Sequence, residues 1–431
     1  MGNMITKIEN ENSPISHKIR LLVVPSDRTG VGYFRSTKPH LNLEKMYPDE
    51  FHIDIDFEPN INSDEFLKQY DIIHYHRNIG DYDKMEELVL KFKSLGIISI
   101  MDIDDYWAPG THHPAFNLFK HYKLDKKILK NIKNADNVLT TTQIFADEIT
   151  KFNKNVSVIP NAIDKNEKQF LIKPEESKKI RIGWLGGSSH EKDIDLLSGL
   201  VNKLGAANLL DKIQFVLCGF DLNGYATNID NVNNTTTQRA ISPIESVWYK
   251  YEKIFTDNYT TISDEYKSFL MKFSNEEYPN VINEPYRRVW TKPVNNYASN
   301  YNLFDISLAP LGDNVFNKMK SQLKVIESGM FKKPIIAQDF GPYKLDVINY
   351  FEKGGVVNDK GNGFLVKHSN NHKDWFKYIK LLVDNPELIT KIGNNLHDTV
   401  SDKFSLDSVT TDRRNYYLNL VVNYQKKLVS L

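Results

Sequence analysis

The chain has 431 residues, with 55 Lys+Arg balanced by 55 Asp+Glu, 40% hydrophobic residues and 26% charged ones. That composition belongs to a folded chain, and at roughly 150 residues per domain its length implies two or three domains. Zero net charge argues against a protein whose main work is gripping nucleic acid, and the single cysteine excludes an internal disulfide or a cysteine-based zinc site.

Residues 1–17 read as a polar arm without the apolar centre of a secretion signal. No run of about 18 apolar residues follows, so no membrane span and a cytoplasmic location are expected. Residues 19–24 (IRLLVV) form a buried strand ended by Pro25-Ser26-Asp27, and a loop with Gly30 and Gly32 leads into a helix. Further strands are expected at 71–75 (DIIHY), 97–101 (IISIM), 137–140 (NVLT) and 156–159 (VSVI), with helices near 84–95 and 124–134. Strands alternating with helices indicate a parallel sheet.

The rhythm stops at Pro160-Asn161-Ala162-Ile163-Asp164, and residues 166–178 read as an interlobe linker. It restarts at 179–185, with Gly186-Gly187-Ser188-Ser189 and then a helix from about Asp193. Strands follow at 213–218, 306–308, 334–337 and 363–366. Residues 221–300 interrupt this second series, first Asn/Thr-rich and then aromatic, and are expected to pack against it. A closing helix is expected over 396–431. The architecture is α/β, with lobes at 18–165 and 179–395 whose parallel sheets face a central cleft.

Three segments suit an anion. Gly30 and Gly32 follow the first strand, where a Gly-rich turn lets phosphate approach backbone N–H groups, although an ordinary tight turn would also use them. Gly186, Gly187, Ser188, His190 and Lys192 lie between a strand and a helix start, where free N–H groups, the helix dipole and a cation converge. On a helix, Lys320, Lys324 and Glu327 would share one face at i, i+4 and i+7. With Ser321 they suit a diphosphate, and an ionised Glu can accept two hydrogen bonds from a ribose diol. Asp102, Asp104 and Asp105 follow a strand and could bind a divalent cation, act as acid or base, cap a turn or pair with cations. His74 and His76 point to one face of their strand, in no metal-binding spacing.

This ordered set resembles the GT-B nucleotide-sugar glycosyltransferases, in particular the family-4-like enzymes (glycosyl transferases group 1). TGVGYFRS, DIIHYHR, IPNAID, IGWLGGSSHEKDIDLL, FDISLAPLGDNVFNKMKSQLKVIESGMFKKPIIAQDFGPY and GNGFLV carry the resemblance, from about residue 18 to 400. It implies sugar transfer from a nucleoside diphosphate sugar, with retention and without a metal or other cofactor. The acceptor is left open: a glycan, a lipid, a protein or a nucleic acid base. Glu327 would bind the donor ribose and Lys192 the diphosphate, while Gly30 and Gly32 would line the cleft and Gly341 would form the turn after the next strand. Gly187 stands where the family carries arginine, so Lys320, with Lys324, is expected to supply the missing cation. The family's first Glu falls near Met319 or Lys320, and its sugar-contacting His falls close to Asp102. Asp102, Lys192 and Lys320 are therefore the candidate catalytic residues. Two other readings compete: a metal-dependent GT-A-like transferase using Asp102 and Asp104, and a GT-B nucleotide-sugar-binding protein without transfer.

Overall fold

A computed structural model describes residues 17–171, 173–230 and 235–429. The expected polar arm thus lies, except for His17, outside the described residues, as do residues 172, 231–234 and 430–431 of the linker, the Asn/Thr-rich segment and the C-terminus.

The first sheet has six parallel strands: β1 (Ile19–Val24), β2 (Phe51–Ile55), β3 (Ile72–His76), β4 (Ile98–Asp102), β5 (Asn137–Thr140) and β6 (Val156–Val158), in the order β2-β1-β3-β4-β5-β6. The second lobe contains β7 (Ile180–Leu185), β8 (Ile213–Phe220), an antiparallel hairpin of β9 (Tyr225–Asp230) and β10 (Thr235–Ala240), then β11 (Tyr286–Trp290), β12 (Ile306–Ala309), β13 (Ile335–Gln338) and β14 (Gly363–Val366). Its six-stranded parallel sheet runs β11-β8-β7-β12-β13-β14. Central strands such as β3, β4 and β8 are buried at every residue, because helices cover both faces of a parallel sheet. That is why they read as unbroken apolar runs.

Outside the hairpin, two strands carry no such run. β2 (FHIDI) and β11 (YRRVW) each lie at the edge of their sheet, where charged residues are tolerated. β11 changes the expectation for 221–300. This segment is no mere insertion: it supplies an edge strand and a buried 3-10 stretch, Tyr297–Leu303, to the second lobe. Trp248, Tyr251 and Phe255 of the helix Val247–Phe255 also enter the main core there, as the aromatic density suggests.

The strand order of each sheet reverses once, between β1 and β3 in the first lobe and between β7 and β12 in the second. Crevices outside the carboxyl ends of strands at such reversals are where open α/β sheets bind ligands. The loops that begin at Pro25, Arg77, Gly186 and Pro310 leave the strands there.

The C-terminus differs from a single closing helix over 396–431. Glu387–Val400 packs on the second lobe, through Leu396 and Val400. The chain then crosses back, pairing Ile163 with Ser405, and Leu406–Val429 lies on the first sheet through Leu406, Val409, Tyr417 and Val421.

A buried polar cluster seats this last helix. The Tyr417 hydroxyl meets His40 Nε2 at 2.6 Å and His74 Nδ1 at 3.0 Å, and His40 Nδ1 bonds Ser36 O at 2.5 Å. Burial, together with nearby Arg35 and Arg413, lowers the pKa of both imidazoles, while Asp102 opposes this at His74. The fold therefore favours their neutral forms, and unfolding in acid lets them take up protons more readily. Their stabilising effect is present above the unfolded value near ~6.5 and is lost as pH falls below it. We expect the melting temperature to drop between pH 7.5 and 5.5, and a His40→Gln/His74→Gln variant to show a smaller drop by scanning calorimetry. An unchanged pH dependence in that variant would remove these histidines from the account.

Candidate functional site

In the second lobe β7 ends at Leu185, directly before Gly186 and Gly187. Gly187 and Ser188 are exposed, and space is open around the Gly187 α-carbon. The expected helix start is a 3-10 turn, Ser188–His190, followed by the short helix Glu191–Ile194. His190 is 8% exposed; its Nδ1 meets Asp193 Oδ2 at 2.6 Å, and its N–H donates to the Tyr251 hydroxyl at 3.0 Å. Asp193 Oδ1 accepts from Gly312 N at 2.7 Å and Asn317 Nδ2 at 2.8 Å. These bonds tie the loop after β7 to the loop after β12, across the point where the strand order reverses. Burial, with Lys320 next, lowers the His190 pKa to about 4, so this imidazole is neutral at pH 7.

The helix bearing Glu327 starts later than the spacing suggests. It spans Leu323–Met330, and Lys320 lies in the bend before it, after the short helix Val315–Lys318. Lys320, Lys324 and Glu327 therefore do not share one helix face. Folding still brings the two lysines to one place. Lys324 Nζ donates to the Leu185 carbonyl and lies 5.1 Å from the Trp184 ring centre, beneath the glycine loop. The residue is half-buried, and burial, with Lys320 adding to it, lowers its pKa to about 8. Lys320 Nζ lies 5.2 Å from the Phe316 ring centre, close enough to His190, Asp193 and Lys324 to bear on the charge of each. Glu327 is buried, with Tyr297 donating to Oε1 and Tyr301 to Oε2. Burial raises its pKa, and the two hydroxyls and Lys324 oppose that only in part.

Two candidate catalytic residues have other partners in the structure. Lys192 turns to solvent and pairs with Asp195 at 3.0 Å, three residues along, because its short helix presents that face outward. Asp102 is wholly buried: Arg35 Nε and Nη2 donate to Oδ1 at 3.1 and 3.0 Å, and His74 lies 3.3 Å from Oδ2. Burial would raise this carboxyl, but Arg35 and His74 outweigh it and bring its pKa down to about 2. Asp102 is thus an anchor inside the first lobe, not a group open to sugar or metal. Asp104 is likewise occupied, meeting His76 Nε2 at 2.9 Å and Arg77 Nη2 at 3.2 Å.

The first-lobe glycines divide. Gly32 is a packing requirement: a Cβ there would lie 1.8 Å from the Asp27 carbonyl, inside the turn that Asp27 organises by accepting from Thr29 N and Gly32 N. An added Cβ at Gly30 meets nothing within 4 Å, which leaves its backbone approachable. Gly341 has the positive φ, 56°, that its expected turn needs, and it packs on Lys318 backbone.

Other contacts cross between the lobes. Asn161, from IPNAID, donates to Ser321 Oγ at 3.1 Å while its Oδ1 accepts from Arg35 at 3.2 Å. Ser321 therefore serves the lobe junction here. His113 packs on Phe316 with ring centres 5.0 Å apart, and both Lys320 and Arg77 bear on it. Arg77, in a left-handed backbone at φ 61°, stands at the end of β3. Sequence spacing gives no sign of Arg77, Asp193, Tyr297 or Tyr301.

No family model matches the chain, and no curated protein matches it. Solved structures do. HepE (Alr3699) of Anabaena in complex with UDP and glucose is 12% identical, with 93% of this chain and 99% of that chain covered at a TM-score of 0.57. The catalytic domain of starch synthase IV from Arabidopsis thaliana, bound to ADP and acarbose, is 12% identical, with 94% and 99% covered at 0.56. A UDP-forming α,α-trehalose-phosphate synthase from Burkholderia vietnamiensis is 10% identical, with 94% and 97% covered at 0.52. Identities this low speak to fold alone. The chain has the GT-B fold, two Rossmann-like lobes about a cleft, and not the GT-A fold of the competing expectation.

Proposed function

We propose that the protein is a glycosyltransferase that moves a sugar from a nucleoside diphosphate sugar to an acceptor. The observation that carries this is the meeting, at the β7/β12 crevice, of an open glycine loop, two lysines and a buried carboxylate from separate parts of the chain. Complexes of the same fold with UDP, UDP-glucose and ADP support it.

In this reading the diphosphate lies over Gly186–His190, with Lys320 and Lys324 meeting the charge that builds on it as the glycosidic bond breaks. Glu327 accepts from the ribose hydroxyls. Lobe closure excludes water, so transfer is favoured over hydrolysis. Lysines placed this way can neutralise the diphosphate, which supports transfer without a metal; EDTA should then leave the rate unchanged. Retention follows the family resemblance and is read from the anomeric configuration of the product by NMR. The acceptor would meet the donor from the first-lobe side, near Arg77 and His113.

The experiment is a mass-spectrometric screen of nucleotide sugars with the full chain, scoring binding, hydrolysis and transfer. Lys320→Ala combined with Lys324→Met should lower turnover at least about a hundredfold, the effect typical of removing preorganised charge stabilisation. Lys192→Ala should leave it within about twofold, since its ammonium already pairs in solvent. The reverse ranking would overturn this diphosphate site.

One observation favours a second reading. Met319, which with Lys320 lies near where the resemblance puts the sugar-contacting Glu, is 3% exposed and packs with the first-lobe core. A nucleotide-sugar-binding protein without transfer would bind donor in the screen and turn over none.

A further inference from the structure

Glu327 is 3% exposed and has a hydroxyl donor on each oxygen, Tyr297 on Oε1 and Tyr301 on Oε2, the second at 3.0 Å. Both donors come from the stretch Tyr297–Leu303, not from the helix that bears Glu327. They are held differently. The Tyr301 ring is fixed within its own lobe, stacked on Phe331 at 5.4 Å and edge-on to Phe304 at 5.3 Å. The Tyr297 ring packs on the same second-lobe cluster, with Leu185 and Phe304, and in addition meets Phe34 of the first lobe, edge to face, with centres 6.2 Å apart and planes at 84°. Phe34 sits in the π-helical turn Gly32–Thr37. That turn is pinned at the lobe junction: Tyr33 donates to Glu167, and Lys38 reaches Asp164 at 2.8 Å and Glu167 at 2.7 Å.

We infer that Tyr297 is a positioning residue for Glu327 and that Phe34 sets it from the opposite lobe, so that lobe approach organises the donor-ribose carboxylate. This deepens the donor site proposed above and rests on that reading. Each carboxylate oxygen can accept two hydrogen bonds, so the tyrosines hold Glu327 in place and leave acceptor capacity for a ribose diol. They also favour the ionised acceptor. Burial pushes the Glu327 carboxyl up; Tyr297, Lys324 and Tyr301 pull against it. Tyr343 also stands near Glu327, and Glu167 lies near Tyr297. Binding that needs the carboxylate is lost as pH falls through the raised folded pKa, and loss of the Tyr297 hydroxyl moves that loss to higher pH. With the lobes apart, Tyr297 keeps its packing on the second lobe but loses Phe34 from one side of its ring. Grip on the nucleotide is then coupled to closure, because the ligand prefers the state in which its carboxylate is already placed.

The test has two arms on the full chain. In the first, without ligand, infrared titration of protein carrying labelled Glu follows the Glu327 carboxyl, assigned by its disappearance in Glu327→Gln. Tyr297→Phe should move its midpoint upward by about one pH unit, since a hydrogen bond to the charged form favours that form. In the second, calorimetry at pH 7 uses UDP and ADP as probes. Tyr297→Phe and Phe34→Ala should each weaken the nucleotide that binds by about tenfold, and the double variant by little more than either, because contacting residues in one chain of interactions are not additive. Phe34→Tyr should restore most of the loss. An unchanged midpoint in Tyr297→Phe, or additive losses in the double variant, overturns the inference. Nucleotide binding unaffected by Glu327→Gln, or absent in the unaltered protein, overturns the donor reading instead, and the relay then stands or falls on the titration.

Discussion

Glu327→Ala is expected to weaken binding of a nucleoside diphosphate by more than tenfold. A hydrogen bond to a charged group is worth about 1.5–3 kcal/mol, and each ~1.4 kcal/mol is a factor of ten in affinity. The buried carboxylate would provide two such bonds to a ribose diol. Truncation also leaves the Tyr297 and Tyr301 hydroxyls buried without their acceptor, at a cost of about 1–3 kcal/mol for each group left unsatisfied. Affinity and stability must therefore be separated. Glu327→Gln keeps the shape and an acceptor oxygen but removes the charge, so it should fold nearly as well and still bind weakly. Calorimetry with UDP and ADP measures the first effect and urea unfolding the second. Affinity equal to that of the unaltered chain in both variants would remove Glu327 from the donor site.

Asp102→Ala should act on the fold, costing about 3–5 kcal/mol, the range for breaking a buried pair and leaving one charge alone. Arg35 is 1% exposed and, among the described residues, would keep the Ile159 carbonyl and Asn161 as hydrogen-bond partners. Its strain would pass to the junction, because Asn161 also bonds Ser321. The cost appears as a lower urea midpoint with an unchanged slope. Well below the melting temperature, donor affinity should stay within about twofold. A catalytic Asp102 would behave oppositely, losing turnover in Asp102→Asn while stability held. Such a result would return this residue to the active site.

Much of the lobe architecture was legible along the chain. β1, β5 and β14 stand at the residues expected, and the other expected strands shift by one or two residues at one or both ends. Parallel strands covered on both faces need continuous apolar residues, and that signal is local. β2 and β11 escaped because edge strands admit charge. The glycine loop after β7 and the candidacy of Lys320, Lys324 and Glu327 could also be read locally. Their arrangement could not. Lys320 lies before the helix, not on it, yet comes near Lys324 because the loop after β12 folds back onto Asp193.

Charge alone could not say which polar residues face the cleft. Asp102 has the composition and position of a catalytic carboxylate, but Arg35, 67 residues earlier, and His74, on the neighbouring strand, enclose it. Lys192 has the expected place beside the glycine loop, but the pitch of one helical turn points it at Asp195. Tyr297 reaches Glu327 across 30 residues, and Phe34 reaches Tyr297 from the other lobe. What the sequence alone determined was the repeating β-loop-α order, hence two lobes and a cleft at the carboxyl ends of their strands. That follows from periodicity and burial, which act between near neighbours. The tertiary structure decided which carboxylates are spent on buried arginine, which lysines meet under the glycine loop and which tyrosines hold Glu327. Such pairings depend on distances between residues far apart in the chain, and those distances exist only once both sheets have packed.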